Sequence, residues 1–119
     1  MASIQLALSD QGKSAALSSL LSRSTQVPVF CVDTPDFASA CVVVMDGQRF
    51  ASEPEAPAHA DRIVLITRND EGQLRAAWEA GVSSVLSDHD PLNTVVLAVL
   101  SACLRFGTVK HKMPGQRPM

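Results

Sequence analysis

Two stretches of this 119-residue chain constrain its fold most: Cys41–Met45 (Cys-Val-Val-Val-Met) and, beginning at residue 63, Ile-Val-Leu-Ile. Both are almost unbroken apolar runs, where a strand with one wet face would alternate polar and apolar residues. Strands of this kind are covered on both faces, which predicts a parallel sheet between layers of helix. Three weaker runs, Ile4–Leu8, Val27–Val32 and Ser84–Leu86, complete a set of five strands, the fourth taken as Arg62–Thr67.

Helical patterns fall between them. Lys13–Ser24 sets Ala16, Leu17, Leu20 and Leu21 on one stripe. Asp70–Ala80 sets Leu74, Ala77 and Trp78 on another, with Asn69 as N-cap and Gly81 as stop. Pro91–Phe106 is the last helix, with Asp90 at the N-cap, Pro91 at the first helical position and Gly107 ending it. Two connections look stripped down. Asp33–Ala40 has room for a turn of helix at most, and Pro54 and Pro57 in Asp46–Asp61 disfavour a regular helix.

Composition bounds the partners. Hydrophobic residues make up 46%, enough for a globular core. Residues 1–107 hold seven basic against twelve acidic side chains, whereas residues 108–119 hold Lys110, Lys112 and Arg117 and no acid. An acidic body argues against nucleic acid, whose phosphates need clustered cations. The basic, Pro- and Gly-containing end reads as a flexible tail or linker stub after a domain of residues 1–107. No apolar run nears the ~18 residues of a membrane span, and the first residues lack the basic flank of an export signal. A cytoplasmic location is therefore expected. Cys31, Cys41 and Cys103 form an odd set without C-x-x-C spacing and read as structural, small hydrophobes. His59 and His89 lie at no ligand spacing from a Cys or an acid.

The order of elements, and above all Val64-Leu65-Ile66-Thr67, Glu79-Ala80-Gly81-Val82 and Val85-Leu86 in the second half, resembles the receiver domain of two-component response regulators. The resemblance implies a flavodoxin-like (CheY-like) doubly wound, five-stranded parallel sheet of order 2-1-3-4-5, here with shortened second and third crossovers. It also implies a pocket at the strand ends where paired acids hold Mg²⁺, an Asp is phosphorylated, a Ser or Thr assists and a Lys clamps the phosphoryl group. By position, Asp46 stands as phosphoacceptor and Thr67 as the hydroxyl. The acidic pair has become Ser9-Asp10, leaving Asp10 and Asp46 as metal ligands, and Asp88 stands where the Lys belongs. A carboxylate there repels a phosphoryl group. Ser9, Asp10, Thr67 and Asp88 thus make a degenerate pocket, and the chain resembles an atypical receiver, or pseudo-receiver.

Plainer readings stand beside these. Asp46-Gly47 is also a turn closing a buried strand, Asp10 also a helix cap, Thr67 also a strand-end residue, and Lys13 a first-turn residue near enough to reach the pocket. On the last helix, Leu92, Val96, Val99, Leu100 and Cys103 make a stripe to cover the sheet. Val95, Leu97, Ala98, Ala102 and Leu104 then leave little polar face, which predicts a protein partner or second copy there, unless the tail folds over it. The expected function is a signalling module acting by protein contact, without phosphorylation, enzymatic activity or a cofactor. A phosphoacceptor receiver using Asp46 and Mg²⁺ is the alternative, and a small-ligand α/β domain the third.

Overall fold

The computed structural model describes residues 3–68, 71–82 and 84–111. Five strands, β1 (Ser3–Ala7), β2 (Val29–Cys31), β3 (Ala40–Asp46), β4 (Ile63–Thr67) and β5 (Ser84–Ser87), pair in parallel in the order β2-β1-β3-β4-β5. Helix α1 (Gln11–Ser24) follows β1, α2 (Gly47–Ser52) follows β3, α3 (Glu71–Ala80) follows β4 and α4 (Leu92–His111) follows β5. A 3-10 segment, Ala56–Arg62, kinked at His59, leads into β4.

The two-residue period of the strands divides the interior into two cores. Ile4, Leu6, Val42, Val44, Val64 and Ile66 face α1 and α4, meeting Leu17, Leu21, Val95, Val99 and Ala102. Val43, Met45, Ile63 and Leu65 face the other way and meet Phe37, Phe50, Ala56 and Ala77. Burial on both faces explains why β3 and β4 are written as apolar runs. β2, at the sheet edge, shrinks to three residues and leaves Phe30 exposed.

The connection from β2 to β3 carries no helix. In its place a turn is pinned from below by Gln5, a buried polar residue of β1. The Gln5 side-chain carbonyl accepts the Asp36 N–H at 2.7 Å, and its amide donates to the Asp36 carbonyl at 3.2 Å. This lets Phe37 fill the space a crossover helix would occupy. Its ring stacks on His59 (centroids 4.5 Å apart, planes within 9°), while Arg62 donates to its carbonyl at 2.6 Å. His59 is thereby a packing residue.

Several expectations are corrected. A six-residue helix, α2, does form ahead of Pro54, because that proline restricts Glu53 before it and stops the helix from running on, without barring the turn that begins at Gly47. Trp78 turns outward and is 79% exposed, leaving Ala77 as the buried contact of α3. The N-cap proposed at Asn69 lies outside the described residues. Asp90 accepts the Ser87 N–H at 2.9 Å, while the Pro91 carbonyl takes the first N–H groups of α4, from Thr94 and Val95.

The last helix is corrected twice. It does not stop at Gly107 but runs to His111, so the boundary expected between residues 107 and 108 falls inside it. A glycine costs a helix only about 1 kcal/mol and ends it only when the next residues favour leaving. Its buried face also differs from expectation. Val95 (2% exposed) and Ala102 (6%), assigned to the interface, lie in the core beside Val96 and Val99, whereas Leu97 and Leu104 are 68% and 69% exposed. Ala98 is partly buried at the edge of that core.

The cysteines divide as well. Cys41, in β3, is joined to Cys103, in α4, by a disulfide with Cα atoms 5.4 Å apart. Cys31 is free and exposed on the edge strand, outside both cores. The structural reading holds for two of the three, as a covalent link instead of packed thiols.

Candidate functional site

In a doubly wound sheet, the strands end together on one rim, and loops there bring together residues far apart in sequence. Here that rim holds a cavity of about 540 Å³. Ser9 and Asp10 enter from the end of β1, Asp46 and Gly47 from β3, Arg68 from β4 and Asp88 from β5, with Lys13 reaching in from α1. Of the sequence-predicted set, the fold thus brings together Ser9, Asp10, Asp46 and Asp88. Thr67 is the exception. It is 1% exposed and does not line the cavity, where Ile66 and Arg68 do, because alternation along β4 turns Thr67 toward the other face.

Asp46 is held by backbone on both sides. One carboxylate oxygen accepts the Ser9 N–H at 2.7 Å. The other accepts the Arg49 N–H at 2.8 Å, which caps α2, and lies 3.5 Å from the Ser9 hydroxyl. The side chain therefore ties the end of β1 to the start of α2. Asp10 is likewise a cap: its carboxylate accepts the Lys13 N–H at 3.1 Å at the start of α1. Among the described residues, no three His, Cys, Asp or Glu side chains converge as a metal site.

The cations of the cavity are turned toward Asp88. Lys13 donates through Nζ to the Asp88 carbonyl at 3.3 Å, and Arg68 Nε lies 4.0 Å from its carboxylate. His89 Nε2 approaches the other carboxylate oxygen at 3.6 Å. Arg68 is 84% exposed on its side chain, so water screens its pairing strongly. Sequence reasoning named Lys13 but missed Arg68. The signal was there, since the residue after a strand-ending Thr returns to the face of the residue before it.

Replacing Asp46 by Ala removes a cap and leaves the Ser9 N–H without its acceptor. We expect a loss of ~1–2 kcal/mol in urea unfolding, as for other helix caps. The loss should be the same with and without Mg²⁺. A destabilisation that appears only with the metal present would contradict the capping role.

No family model and no curated protein matches this chain. Solved structures do. A protein from Burkholderia pseudomallei described as pilus assembly-related aligns at a TM-score of 0.60 and 19% identity, over 88% of this chain and 91% of its own. The response regulator ChrA of a heme-sensing two-component system aligns at 0.55 and 20%, over 98% and 70%. The bacteriophytochrome response regulator AtBRR aligns at 0.51 and 14%, over 87% and 93%. The fold is the receiver fold. Its strand order matches the flavodoxin-like arrangement, and the rim cavity lies at the C-terminal strand ends, where that fold places its ligands. In this chain Asp46 ends β3 and Asp88 follows β5 directly.

Proposed function

We propose that this domain is a receiver-like signalling module that works by protein–protein contact, without a phosphorylation cycle, without catalysis of its own and without a bound metal. The state of Asp46 carries this reading. Both its carboxylate oxygens accept backbone N–H groups, which draws electron density from the nucleophile and holds the side chain to the cap of α2 and the tie to Ser9. Asp10, the remaining acid for a metal, is likewise occupied in capping α1. Asp88 then puts negative charge where the receiver pattern has a lysine.

One observation favours the phosphoacceptor alternative: Lys13 and Arg68 bring two cations into the same cavity. They are directed at Asp88, however, and offset a local carboxylate more than they supply a clamp for Asp46. The contact surface we assign is the outer stripe of α4, where Leu97 and Leu104, seven residues apart, share one exposed face. Its occupant is a partner protein or a second copy. The fold also serves a pilus assembly-related protein, so its use extends beyond response regulators.

Cytoplasm is the compartment proposed. Among the described residues, no helix is long and apolar enough to cross a membrane. The Cys41–Cys103 link would there be kept reduced.

The test is a titration with acetyl phosphate and with beryllofluoride, each in Mg²⁺, monitored by intact mass and amide NMR. We expect no phosphoryl adduct and unmoved Ser9, Asp46 and Arg49 amides. An adduct on Asp46 with shifts spreading through β4 and β5 would establish the alternative instead.

A further inference from the structure

On the α3 side of the sheet lies a second concavity, an open groove of about 700 Å³. Its walls are α2 with the adjoining Pro54 and Pro57 on one side and α3 on the other. Phe50 and Ala51 line the first wall, Ala76 and Ala80 the second, and Leu65 of β4 the floor. The groove exists because the β3–β4 crossover is short. A six-residue helix and a kinked 3-10 turn do not cover the flank of the sheet that a full-length helix would. Among the described residues, the charged ones that line it are both acids: Glu53, capping the end of α2, and Glu79, on α3.

We infer that this groove docks an amphipathic helix of a partner protein whose apolar face is flanked by Lys or Arg. The apolar walls are provided by two helices, with no free strand edge to pair with, which suits a helix laid in a groove better than an added strand. Glu53 and Glu79, on opposite walls, select a cationic flank and disfavour an acidic one. The groove is separate from Leu97 and Leu104 on α4, so it adds a second contact surface to the module. It also shares Gly47, Ala51 and Gln73 with the rim cavity, which places an occupant next to the Asp46 loop.

The probe is a synthetic Leu/Ala amphipathic helix with lysines at both ends, and its control is the same helix with glutamates in their place. Both are titrated into the ¹⁵N-labelled full chain. The lysine helix should shift the amides of Phe50, Ala51, Ala76 and Ala80, and the glutamate helix should bind roughly tenfold more weakly, or worse. The Glu53→Lys/Glu79→Lys variant should reverse that preference. Ala76 is exposed, so Ala76→Arg should leave the fold intact and still weaken the lysine helix by roughly tenfold. Equal binding of both helices, shifts gathered at Leu97 and Leu104, or an unreversed preference in the double variant would each overturn the proposal. None of these results bears on whether Asp46 is phosphorylated, so failure here is distinct from failure of the proposed function.

Discussion

Reducing the Cys41–Cys103 disulfide lowers the unfolding free energy by about 4 kcal/mol, on the loop-closure account of a cross-link spanning 62 residues. The bond ties β3, at the centre of the sheet, to α4, which with α1 covers one face of it, so the unfolded chain loses much of its freedom to separate the two. Against a total of ~5–15 kcal/mol for a domain, that is a large share. Urea unfolding of the oxidised protein should therefore show a clear fall in midpoint when a phosphine reductant is added. The Cys41→Ala/Cys103→Ala variant should be insensitive to reductant and no more stable than the reduced protein. Equal midpoints with and without reductant would show that the pair contributes nothing to stability. The result also bears on compartment, because a cytoplasmic chain has to fold on its remaining packing with both thiols free.

Most of this architecture was legible because buried parallel strands leave an unmistakable mark. Cys41–Met45 could be little else, and its neighbours in the sheet could be inferred from the turn residues between the runs. What stayed hidden were features that depend on tertiary geometry. Gln5 reads as an interruption of an apolar run, yet it is the residue that holds the Asp36 turn and replaces a helix. The Phe37–His59 stack joins loops on either side of β3, so no local pattern announces it. The disulfide pairs residues 62 apart, which spacing alone does not favour over any other pairing.

The candidate site divides along the same line. The strand ends placed Ser9, Asp10, Asp46 and Asp88 at one rim, as the resemblance implied. The hydrogen bonds that make Asp10 and Asp46 helix caps needed coordinates, although Asp before a helix start is a capping signal in its own right. Position in the resemblance pointed to Thr67, whereas the cavity is lined by its neighbours Ile66 and Arg68, which alternation along the strand sets on one face.

The orientation of α4 is the hardest case, since nearly every residue from Leu92 to Leu104 is apolar or small and two neighbouring stripes fit equally well. The structure chooses Val95, Val99 and Ala102 for the sheet, which leads to a sharp expectation. Val95→Glu should destabilise the domain by ~4 kcal/mol or more, since the core around it is apolar and offers a carboxylate no partner. Leu97→Glu, at a position 68% exposed, should change stability by no more than ~0.5 kcal/mol. The two variants sit two residues apart on one helix, so propensity and local charge are nearly matched and only the facing differs. Circular dichroism and urea unfolding should find the first largely unfolded and the second native. Light scattering of Leu97→Glu/Leu104→Glu then isolates association from folding. If Val95→Glu folds like the parent, α4 is rotated from the position described, and the exposed leucines lose their standing as a contact surface along with it.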